Sequence, residues 1–439
     1  MNIVDLIIKK RDGEKLTKDE IGFFVKGVTD SSIPDYQISA MLMAIYFQNL
    51  DNEETSDLTM AMANSGDNFD LSSVDGIKVD KHSTGGVADT TTLILAPLVA
   101  SCGVPVVKMS GRGLGFSGGT LDKLESIPGF KIDITEADAL KFAKTSNIVL
   151  MSQTDNLTPA DKKLYALRDV TGTVENIPLI SGSIMSKKIA AGADAIVLDV
   201  KCGSGAFMKD YDSAVSLAKT MADIGKSVGR EVTAVISGME QPLGMNIGNS
   251  LEVIEAIEIL KGNVGGDLLD VALTLGAYML ISAKKADTVE SAKQMLADNI
   301  ANGKGIDKFR ELLIQQGGNP EIINDYTLLP LSSEKSEVAA EESGYVYSMN
   351  TAEIGRASLE TGAGRASKSD NIDFGAGIIM KVRIGDYVNK GDILAEVYSA
   401  TAEKCTSAAK YILDAVKIKN QKPENPKLIL DIIKQEENK

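Results

Sequence analysis

Histidine and cysteine are scarce in this sequence, and their scarcity excludes several kinds of site. His82 is the only histidine among 439 residues, and the three cysteines, Cys102, Cys202 and Cys405, are widely spaced. Zinc sites are built mainly from these two residue types, so a zinc centre is not expected. An odd number of distant cysteines is typical of reduced, buried thiols rather than of a disulfide framework. A Ser/His/Asp triad is excluded unless His82 itself belongs to it.

Long apolar segments and an excess of positive charge are also absent. The stretch from Met1 to Arg11 lacks the apolar centre and the cleavage site of a signal peptide. No apolar run approaches the roughly 18 residues that span a bilayer, so the sequence predicts a cytoplasmic protein without a membrane partner. The net charge of −15 argues against a nucleic-acid partner, because phosphate backbones are bound by clustered Lys and Arg. A small anion needs only a few cations and backbone N–H groups.

What is present is an ordinary globular composition, arranged in three parts. Hydrophobic residues make up 44% and charged residues 24% of the chain, and its length favours two or three domains. Helical spacing of apolar residues predicts a small all-helical domain from residues 1–66 and about 158–192. Alternating strands and helices predict a larger α/β domain with a mostly parallel sheet from 75–157 and about 193–335. Short alternating strands predict a β-rich C-terminal domain from 338–439.

One phrase of the C-terminal part is similar to the turn of a biotinyl or lipoyl carrier module. It runs from Ile384 to Asp392 and reads IGDYVNKGD. The carrier lysine expected on the following hairpin is missing, because Val397 to Thr401 stand in its place. A structural role is therefore favoured over a swinging arm, and a non-catalytic carrier or interaction protein is a weaker alternative to an enzyme.

Two glycine-rich segments predict an anion site. The first, KHSTGG from Lys81 to Gly86, lies between a short strand that ends at Val79 and a helix that begins near Thr91. Its glycines let the backbone turn so that successive N–H groups face one point, and Lys81 adds a full charge. A tight turn with a solvated Lys81 explains this segment equally well when it is considered alone.

The second segment makes phosphate the favoured anion. It runs from Lys108 to Gly115 after a strand at Val104 to Val107, and Ser117 to Thr120 then opens another helix. In a parallel sheet both segments would lie at the carboxyl ends of neighbouring strands, where such folds bind ligands. The P-loop pattern of nucleoside triphosphatases is absent. A formal Gly-x-Gly-x-x-Gly match from Gly113 to Gly118 is interpreted as coincidental, because it lies in the second strand-to-helix turn.

A second polar set lies in the later stretch that is predicted to be helical. Tyr165 and Arg168 are three residues apart and Ser183 and Lys187 are four apart, so each pair shares a helix face. A guanidinium, an ammonium group and two hydroxyls could together bind a planar ring that carries carbonyl groups. By spacing alone, solvated surface groups are the favoured interpretation.

Four motifs closely resemble those of the thymidine and pyrimidine-nucleoside phosphorylases. They are KHSTGGV from Lys81, SGRGLG from Ser110, GGTLDKLE from Gly118 and LYALRDV from Leu164. The resemblance covers essentially the whole chain. It implies reversible phosphorolysis of uridine, thymidine and deoxyuridine to the free base and (deoxy)ribose 1-phosphate in nucleoside salvage, by a homodimer whose helical and α/β domains close over a cleft. The alternatives are a thymidine-specific phosphorylase and, less favoured, a magnesium-dependent phosphoribosyltransferase.

The resemblance also implies roles for individual residues. Inorganic phosphate would be the co-substrate, without an organic cofactor, and would be held by Lys81, His82, Ser83, Thr92, Lys108, Met109, Ser110 and Thr120. The base would be held by Tyr165, Arg168, Ser183 and Lys187. His82, Arg168 and Lys187 would be catalytic, with Arg168 and Lys187 stabilising the departing ring and His82 donating a proton or a hydrogen bond to its O2.

A potassium-like site is implied as well, as in some bacterial members of the family. It maps to Ala88, Thr90, Leu243, Asn246 and Glu255. The sequence departs from the family's usual pattern at two places. Phe116 and Ser117 stand where the family usually has His-Thr, and Ala88 stands where it usually has Gly. The Phe116-Ser117 departure puts a polar contact near the phosphate or the sugar in doubt. The Ala88 departure puts the backbone geometry beside the cation in doubt.

Overall fold

The computed structural model describes residues 1–113, 118–154, 156–365, 367 and 370–435. In chain order the helices are α1 (Ile3–Arg11), α2 (Lys18–Thr29), α3 (Asp35–Gln48), α4 (Asn52–Ala63), α5 (Thr91–Ser101), α6 (Thr120–Glu125), α7 (Glu136–Ser146), α8 (Pro159–Thr171), α9 (Ile177–Ala190), α10 (Tyr211–Ser227), α11 (Asn249–Leu260), α12 (Asp267–Ser282), α13 (Val289–Ala301), α14 (Lys304–Gln315), α15 (Thr351–Thr361) and α16 (Ala402–Ala415). Two 3₁₀ turns, Pro320–Ile323 and Tyr326–Leu328, follow α14.

The strands are β1 (Val79–Ser83), β2 (Val106–Ser110), β3 (Ile148–Ser152), β4 (Ala195–Cys202), β5 (Glu231–Gly238), β6 (Asn246–Ile247), β7 (Glu334–Ala339), β8 (Gly344–Met349), β9 (Gly377–Met380), β10 (Tyr387–Val388), β11 (Ile393–Ser399), β12 (Val416–Lys419) and β13 (Ile429–Lys434). None of the described helices combines the length and the apolar content that crossing a bilayer requires.

The four N-terminal helices form one helical body together with α8 and α9. Met41 of α3 packs in the same apolar core as Leu164 of α8 and Leu179 of α9. Capping boxes begin α2 at Thr17 and α4 at Asp51 and satisfy N–H groups that the first helical turn leaves free. Helices that are distant in sequence therefore share one core.

Two of the segments that join the helical body to the rest of the chain lie against each other. The backbone N–H of Asp67 donates to the carbonyl of Asn156 at 3.0 Å, and that of Ala160 donates to Ser65 Oγ at 3.2 Å. A Cβ on Gly66 would lie 1.9 Å from the Asn156 carbonyl oxygen, so only glycine permits this approach.

The α/β part contains two separate sheets. β1, β4 and β5 run parallel, and β13 adds an antiparallel edge strand in the order β1-β4-β5-β13. β2 and β3 form a second, parallel pair. β1 pairs with β4 over its full length, from Val79 opposite Ala195 to Ser83 opposite Asp199.

The sequence prediction was wrong in three details here. Lys108, Met109 and Ser110 lie on β2 rather than in a loop after Val107, because β2 pairs with β3 as far as Ser110. Lys81, His82 and Ser83 lie on β1 rather than in a loop, because pairing with β4 extends the strand beyond Val79. β1 and β2 are also not hydrogen-bonded neighbours in one sheet. The ammonium group of Lys108 on β2 donates to the carbonyl of Lys81, so a side chain takes an acceptor that a neighbouring strand would use.

The C-terminal part combines antiparallel strands with two helices. One sheet has the order β10-β8-β12, and the other, β6-β9-β11-β7, takes its edge strand β6 from the α/β part. No hairpin follows β11, because Thr401 caps α16 by accepting the backbone N–H of Lys404. The carrier-like turn thus leads into a helix start. The predicted fold class, an α/β domain with a helical domain and a C-terminal domain of antiparallel strands, is confirmed.

Candidate active site

Strand β1 directs charged side chains to two opposite sides. Successive side chains of a strand alternate between its faces. Asp80 and His82 therefore point to one side, and Lys81 and Ser83 to the other. The sequence in this short stretch places ionisable groups on both faces of a buried strand.

The Lys81 side of β1 is a buried ionic network. The Lys81 ammonium group donates to Thr91 Oγ1 at 2.7 Å and lies 3.3 Å from Asp199 Oδ2 and 3.9 Å from Asp89 Oδ2. Lys201 pairs with Asp199 at 2.8 Å. Although burial would raise the pKa of Asp89, the charges of Lys201 and Lys81 hold it well below its usual value. Both lysines thus have anionic partners.

Asp89 orders the end of β1. Its carboxylate accepts hydrogen bonds from Ser83 Oγ at 2.5 Å and from Thr91 Oγ1 at 2.6 Å. Ser83 Oγ in turn accepts the backbone N–H of Gly85 at 3.2 Å. One carboxylate therefore holds Ser83 and, at the start of α5, Thr91, whose neighbour Thr92 is buried.

The Asp80 side of β1 has more positive than negative charge. Asp80 pairs with Lys188 of α9 at 2.7 Å and lies 3.6 Å from Lys108. Lys188 also donates to the carbonyl of Met109 at 3.1 Å, whereas the Met109 side chain packs in an apolar core. Burial, together with the charge of Lys188, lowers the pKa of Lys108 to about 7 against the opposing charge of Asp80.

Lysines of both the phosphate side and the base side influence the pKa of His82. Burial first, and then the charges of Lys188, Lys108 and Lys187, lower the pKa of His82 well below its usual value. Lys188 and Lys108 belong to the phosphate side, and Lys187 to the base side. The imidazole is therefore neutral near pH 7.

The second glycine-rich segment brings further phosphate positions to this side. Ser110 ends β2, and its buried hydroxyl is without a hydrogen-bond partner in the described part of the chain. An unpartnered buried hydroxyl is costly, so Ser110 Oγ is available to a ligand. Thr120 begins α6. Leu114 to Ser117, with the Phe116-Ser117 departure and most of the formal Gly-x-Gly-x-x-Gly match, lie outside the described residues.

The base side is formed by α8 and α9. The Lys187 ammonium group donates to Ser183 Oγ at 2.9 Å and pairs with Asp161. Tyr165 is 43% exposed, and its ring centroid is 6.0 Å from Arg168 Cζ. Tyr165, Ser183 and Lys187 thus reach one region of the helical body beside Asp161.

Most hydrogen bonds of the Arg168 side chain are made to the chain that connects α8 to α9. Its guanidinium donates to the backbone carbonyls of Thr173 at 3.1 Å, Val174 at 2.7 Å and Leu179 at 3.1 Å. A guanidinium has five N–H donors, so two remain for a ligand. Burial lowers the pKa of Arg168 from its usual value. Arg168 therefore fixes the α8–α9 connection in addition to any contact with a base.

The predicted cation positions lie close together. Gly244 N donates to the Ala88 carbonyl at 3.2 Å, and Asn246 N donates to Glu255 Oε2 at 2.9 Å. The Thr90 hydroxyl donates to Glu252. The described chain contains no cluster of three or more His, Cys, Asp or Glu side chains suited to a metal ion. Any cation here would rely mainly on backbone oxygens.

Sequence reasoning missed several residues of this site. They are Asp80, Asp89, Asp161, Lys188, Asp199 and Lys201. A signal was present for two of them, because Asp199 and Lys201 interrupt the otherwise apolar run of β4 and share one of its faces. Asp80 and Lys188 are 108 residues apart, so nothing in the local sequence marks them as partners.

Comparisons with known proteins agree with this arrangement. Three family models match: the glycosyl transferase family helical bundle domain at residues 4–66, the glycosyl transferase family a/b domain at 75–306, and the pyrimidine nucleoside phosphorylase C-terminal domain at 345–419. An anthranilate phosphoribosyltransferase structure from Thermus thermophilus superposes with a TM-score of 0.57 at 17% identity, covering 71% of this chain and 98% of that one. That likeness shows a shared fold alone.

Similarity to whole relatives is stronger. The pyrimidine-nucleoside phosphorylase of Bacillus subtilis is 54% identical over 433 residues, and that of Geobacillus stearothermophilus 52% over 433 residues. Each alignment covers 99% of this chain and 100% of the relative. The chain therefore belongs to the pyrimidine-nucleoside phosphorylase family.

Proposed function

We propose that this protein catalyses the reversible phosphorolysis of pyrimidine nucleosides, giving the free base and a (deoxy)ribose 1-phosphate. The position of His82 carries this proposal. Its imidazole lies on the same face of β1 as Asp80, which contacts Lys108 and Lys188 of the phosphate side, and the charge of Lys187 on the base side also lowers the pKa of His82. A nucleoside with its sugar beside His82 would have an anion site on one side and ring-binding groups on the other. Relatives of matching length are named for this activity.

The chemistry requires positioning and electrostatic stabilisation. A phosphate oxygen attacks C1′ of the sugar, the C1′–N1 bond breaks, and its electron pair goes to the pyrimidine ring. Lys108, Lys188 and Ser110 Oγ would orient the phosphate, and Lys187 would stabilise negative charge on the departing ring. The protein supplies no covalent nucleophile in this scheme.

The environment of His82 favours one of the two roles expected for it. An imidazole with a strongly lowered pKa is neutral near pH 7 and is a poor source of a proton in the ligand-free protein. It can still donate a hydrogen bond to the O2 carbonyl of the ring through its N–H group. We therefore assign His82 the role of hydrogen-bond donor rather than that of a general acid.

The test of the function is release of free base from uridine or thymidine with and without phosphate. Release that requires phosphate and yields a pentose 1-phosphate supports the proposal. Turnover only with phosphoribosyl pyrophosphate and magnesium would instead support the phosphoribosyltransferase alternative. Absence of turnover in both mixtures would leave neither activity standing.

Within phosphorolysis, we propose acceptance of uridine, thymidine and deoxyuridine rather than thymidine alone. Support comes from the relatives, whose names specify pyrimidine nucleosides and not thymidine. Comparable kcat/KM values for uridine and thymidine would support broad acceptance. A preference of several hundredfold for thymidine would refute it.

We propose that a monovalent cation with oxygen ligands binds at the turn around Ala88. Glu255 is buried, and burial raises its pKa despite hydrogen bonds from Met245 N and Asn246 N. The carbonyls of Ala88 and Leu243 are the other available ligands, although Arg383 already donates to the Leu243 carbonyl at 2.7 Å. A bound cation would supply positive charge that stabilises this carboxylate.

The cation proposal can be tested without measuring activity. Thermal stability in potassium chloride should exceed that in tetramethylammonium chloride at equal ionic strength, and Glu255→Gln should abolish the difference. Equal melting temperatures of the wild type in both salts would contradict the proposal.

We also propose that the helical and α/β bodies close over the substrates. The predicted binding sets lie on different bodies, and the joining segments near Gly66 and Asn156 contact each other and can move as one hinge region. Small-angle scattering should show a smaller radius of gyration with phosphate and a nucleoside analogue. Identical profiles would contradict closure. Asp155, which precedes Asn156 in the second joining segment, lies outside the described residues.

A homodimer is proposed from exposed apolar residues of the helical body. Val4 and Ile8 lie one turn apart on α1, and Tyr36 and Phe47 lie on one face of α3 with 74% and 73% of their surfaces exposed. Light scattering should give the mass of a dimer, and Phe47→Glu should give a monomer. A monomeric wild type would contradict the proposal. The cytoplasmic location stays a prediction.

A further inference from the structure

A side chain of the C-terminal part contacts the phosphate-side segment. Arg365 lies between α15 and β9, and its guanidinium donates to Asp122 Oδ1 at 2.7 Å. Asp122 belongs to α6, which begins at Thr120. We infer that Arg365 is a positioning residue for phosphate that acts through Asp122 on the residues next to Ser110 and Thr120, namely Gly111, Gly113 and Gly119. The inference rests on the phosphorolysis proposed above.

Asp122 is the centre of this arrangement. Its carboxylate is buried, with a side-chain exposure of 2%, and its two oxygens have different partners. Oδ1 accepts from Arg365, and Oδ2 accepts the backbone N–H of Gly113 at 2.7 Å. One carboxylate thus links the C-terminal part to the backbone three residues after Ser110.

The described residues at the two ends of the segment from Ser110 to Thr120 pack tightly against this carboxylate. A Cβ on Gly119 would lie 2.0 Å from Gly113 N and 2.5 Å from Asp122 Oδ2, so only glycine fits there. Leu121 N also donates to the Gly111 carbonyl at 3.4 Å. The two ends of the segment, which lead to Ser110 and Thr120, are therefore held together beside Asp122, and a shift of the carboxylate moves both.

Two residues that precede and follow Arg365 in the chain, Ala363 and Phe374, are held by contacts to the α/β part. The Ala363 carbonyl accepts from Asn249 Nδ2 at 2.8 Å, and the Phe374 carbonyl accepts the backbone N–H of Ser250 at 3.1 Å. Both contacts are made to the first residues of α11 in the α/β part. The Arg365 side chain is only 12% exposed. Arg365 consequently reaches Asp122 from an anchored position.

Removing the guanidinium would change the charge that the phosphate meets. Burial, with the nearby charge of Asp122, raises the pKa of Glu125 against the opposing charges of Arg112 and Arg365. Without Arg365, the buried Asp122 carboxylate would be left without its cationic partner and close to Glu125. Uncompensated negative charge beside Ser110 and Thr120 opposes a phosphate dianion.

The experiment compares full-length Arg365→Gln and Arg365→Lys with the wild type. Arg356→Gln is the matched control, because Arg356 lies on α15 in the same part, is exposed and pairs with Glu353, three residues earlier, at 2.5 Å. KM for phosphate, KM for the nucleoside and kcat are measured separately. The dependence of the melting temperature on phosphate concentration is also measured, without nucleoside.

We expect R365Q to raise the KM for phosphate about tenfold, the size expected for a lost charge-assisted hydrogen bond. The KM for the nucleoside should stay within about twofold, since the base side lies on α8 and α9, and R365K should recover most of the loss. The control should match the wild type. An unchanged phosphate KM in R365Q, or an equal rise in both KM values, overturns the inference.

Asp122→Asn provides a second test, including the case in which R365Q does not fold. It should raise the KM for phosphate by a similar factor. The double variant should have a KM for phosphate no higher than that of the more impaired single variant, because both substitutions remove the same interaction. Additive losses overturn the inference. Failure of the proposed function can be told apart from failure of this inference. In the first case the wild type releases no base in phosphate, whereas the effect of phosphate on the melting temperature still tests Arg365.

Discussion

Phosphate binding is expected to bring a proton into the protein, and Lys108 is the group that takes it up. In the ligand-free protein, burial and the charge of Lys188 lower the pKa of Lys108 to about 7. A phosphate dianion beside Lys108 favours the charged ammonium form and raises the pKa again. Because the pKa rises on binding, the complex holds more protons than the free protein, and phosphate affinity falls as the pH rises above 7.

The magnitude follows from the pKa of Lys108. With a value of about 7, about nine-tenths of the Lys108 side chains are neutral at pH 8 and about half at pH 7. If phosphate restores the ordinary lysine pKa of about 10.4, binding takes up about 0.9 proton at pH 8 and about 0.5 at pH 7. Phosphate affinity should then fall almost tenfold for each pH unit above pH 8.

Isothermal titration calorimetry measures this uptake directly. Phosphate is titrated at pH 8, where it is largely a dianion, in buffers of different ionisation enthalpy, and the slope of observed enthalpy against buffer enthalpy gives the protons exchanged. Sulfate, which carries no titrating proton, is the control anion, and Lys108→Met is the control variant. A zero slope for the wild type, or an equal slope for the variant, would refute the reasoning.

Three further predictions concern single residues. His82→Ala is expected to lower kcat on the order of a hundredfold, as for loss of one preorganised hydrogen-bond donor; unchanged turnover and pH–rate profile would contradict a role in catalysis. Lys187→Ala should lose a similar factor, whereas the exposed Lys26→Ala should keep wild-type rates, and equal rates in both variants would refute the assignment of Lys187. Ala88→Gly should change the free energy of unfolding by less than about 1 kcal/mol, because relief of the left-handed φ of 56° opposes the loss of a buried methyl group and the greater flexibility of glycine. Urea denaturation measures the free energy of unfolding. A difference above about 2 kcal/mol in either direction would show that relief of the left-handed φ does not offset the loss of the methyl group and the greater flexibility.

The division into helical, α/β and C-terminal parts could be predicted because hydrophobic periodicity is a local signal. The residue at which β1 ends could not be predicted. Lys81, His82 and Ser83 are polar, and they are extended only because β4 pairs with them. The separation of β1 from β2 was equally hidden. It depends on where the ammonium group of Lys108 finds an acceptor, which is a tertiary contact.

The residues of the candidate site likewise divide into those that the sequence could predict and those that it could not. Glycine-rich segments and the motif resemblance point to Lys81 and Lys108, because these features are contiguous in sequence. Their partners are not contiguous: Asp199 lies on another strand, and Lys188 comes from the helical body. Ala88 is instructive in another respect. Its departure from the family's glycine suggested altered geometry, yet the chain keeps a left-handed conformation there at φ 56°.

Burial and the ionic network through β1 together explain why Lys108, in a chain of net charge −15, has a pKa of about 7. Its members are the lysines Lys81, Lys108, Lys188 and Lys201 and the aspartates Asp80, Asp89 and Asp199. Four cations against three anions leave one uncompensated positive charge in a buried region, and release of one proton removes it. Lys108 shares Asp80 with Lys188, whereas Lys81 contacts two aspartates. The proton is therefore lost most easily from Lys108, and an arriving phosphate dianion makes its return favourable.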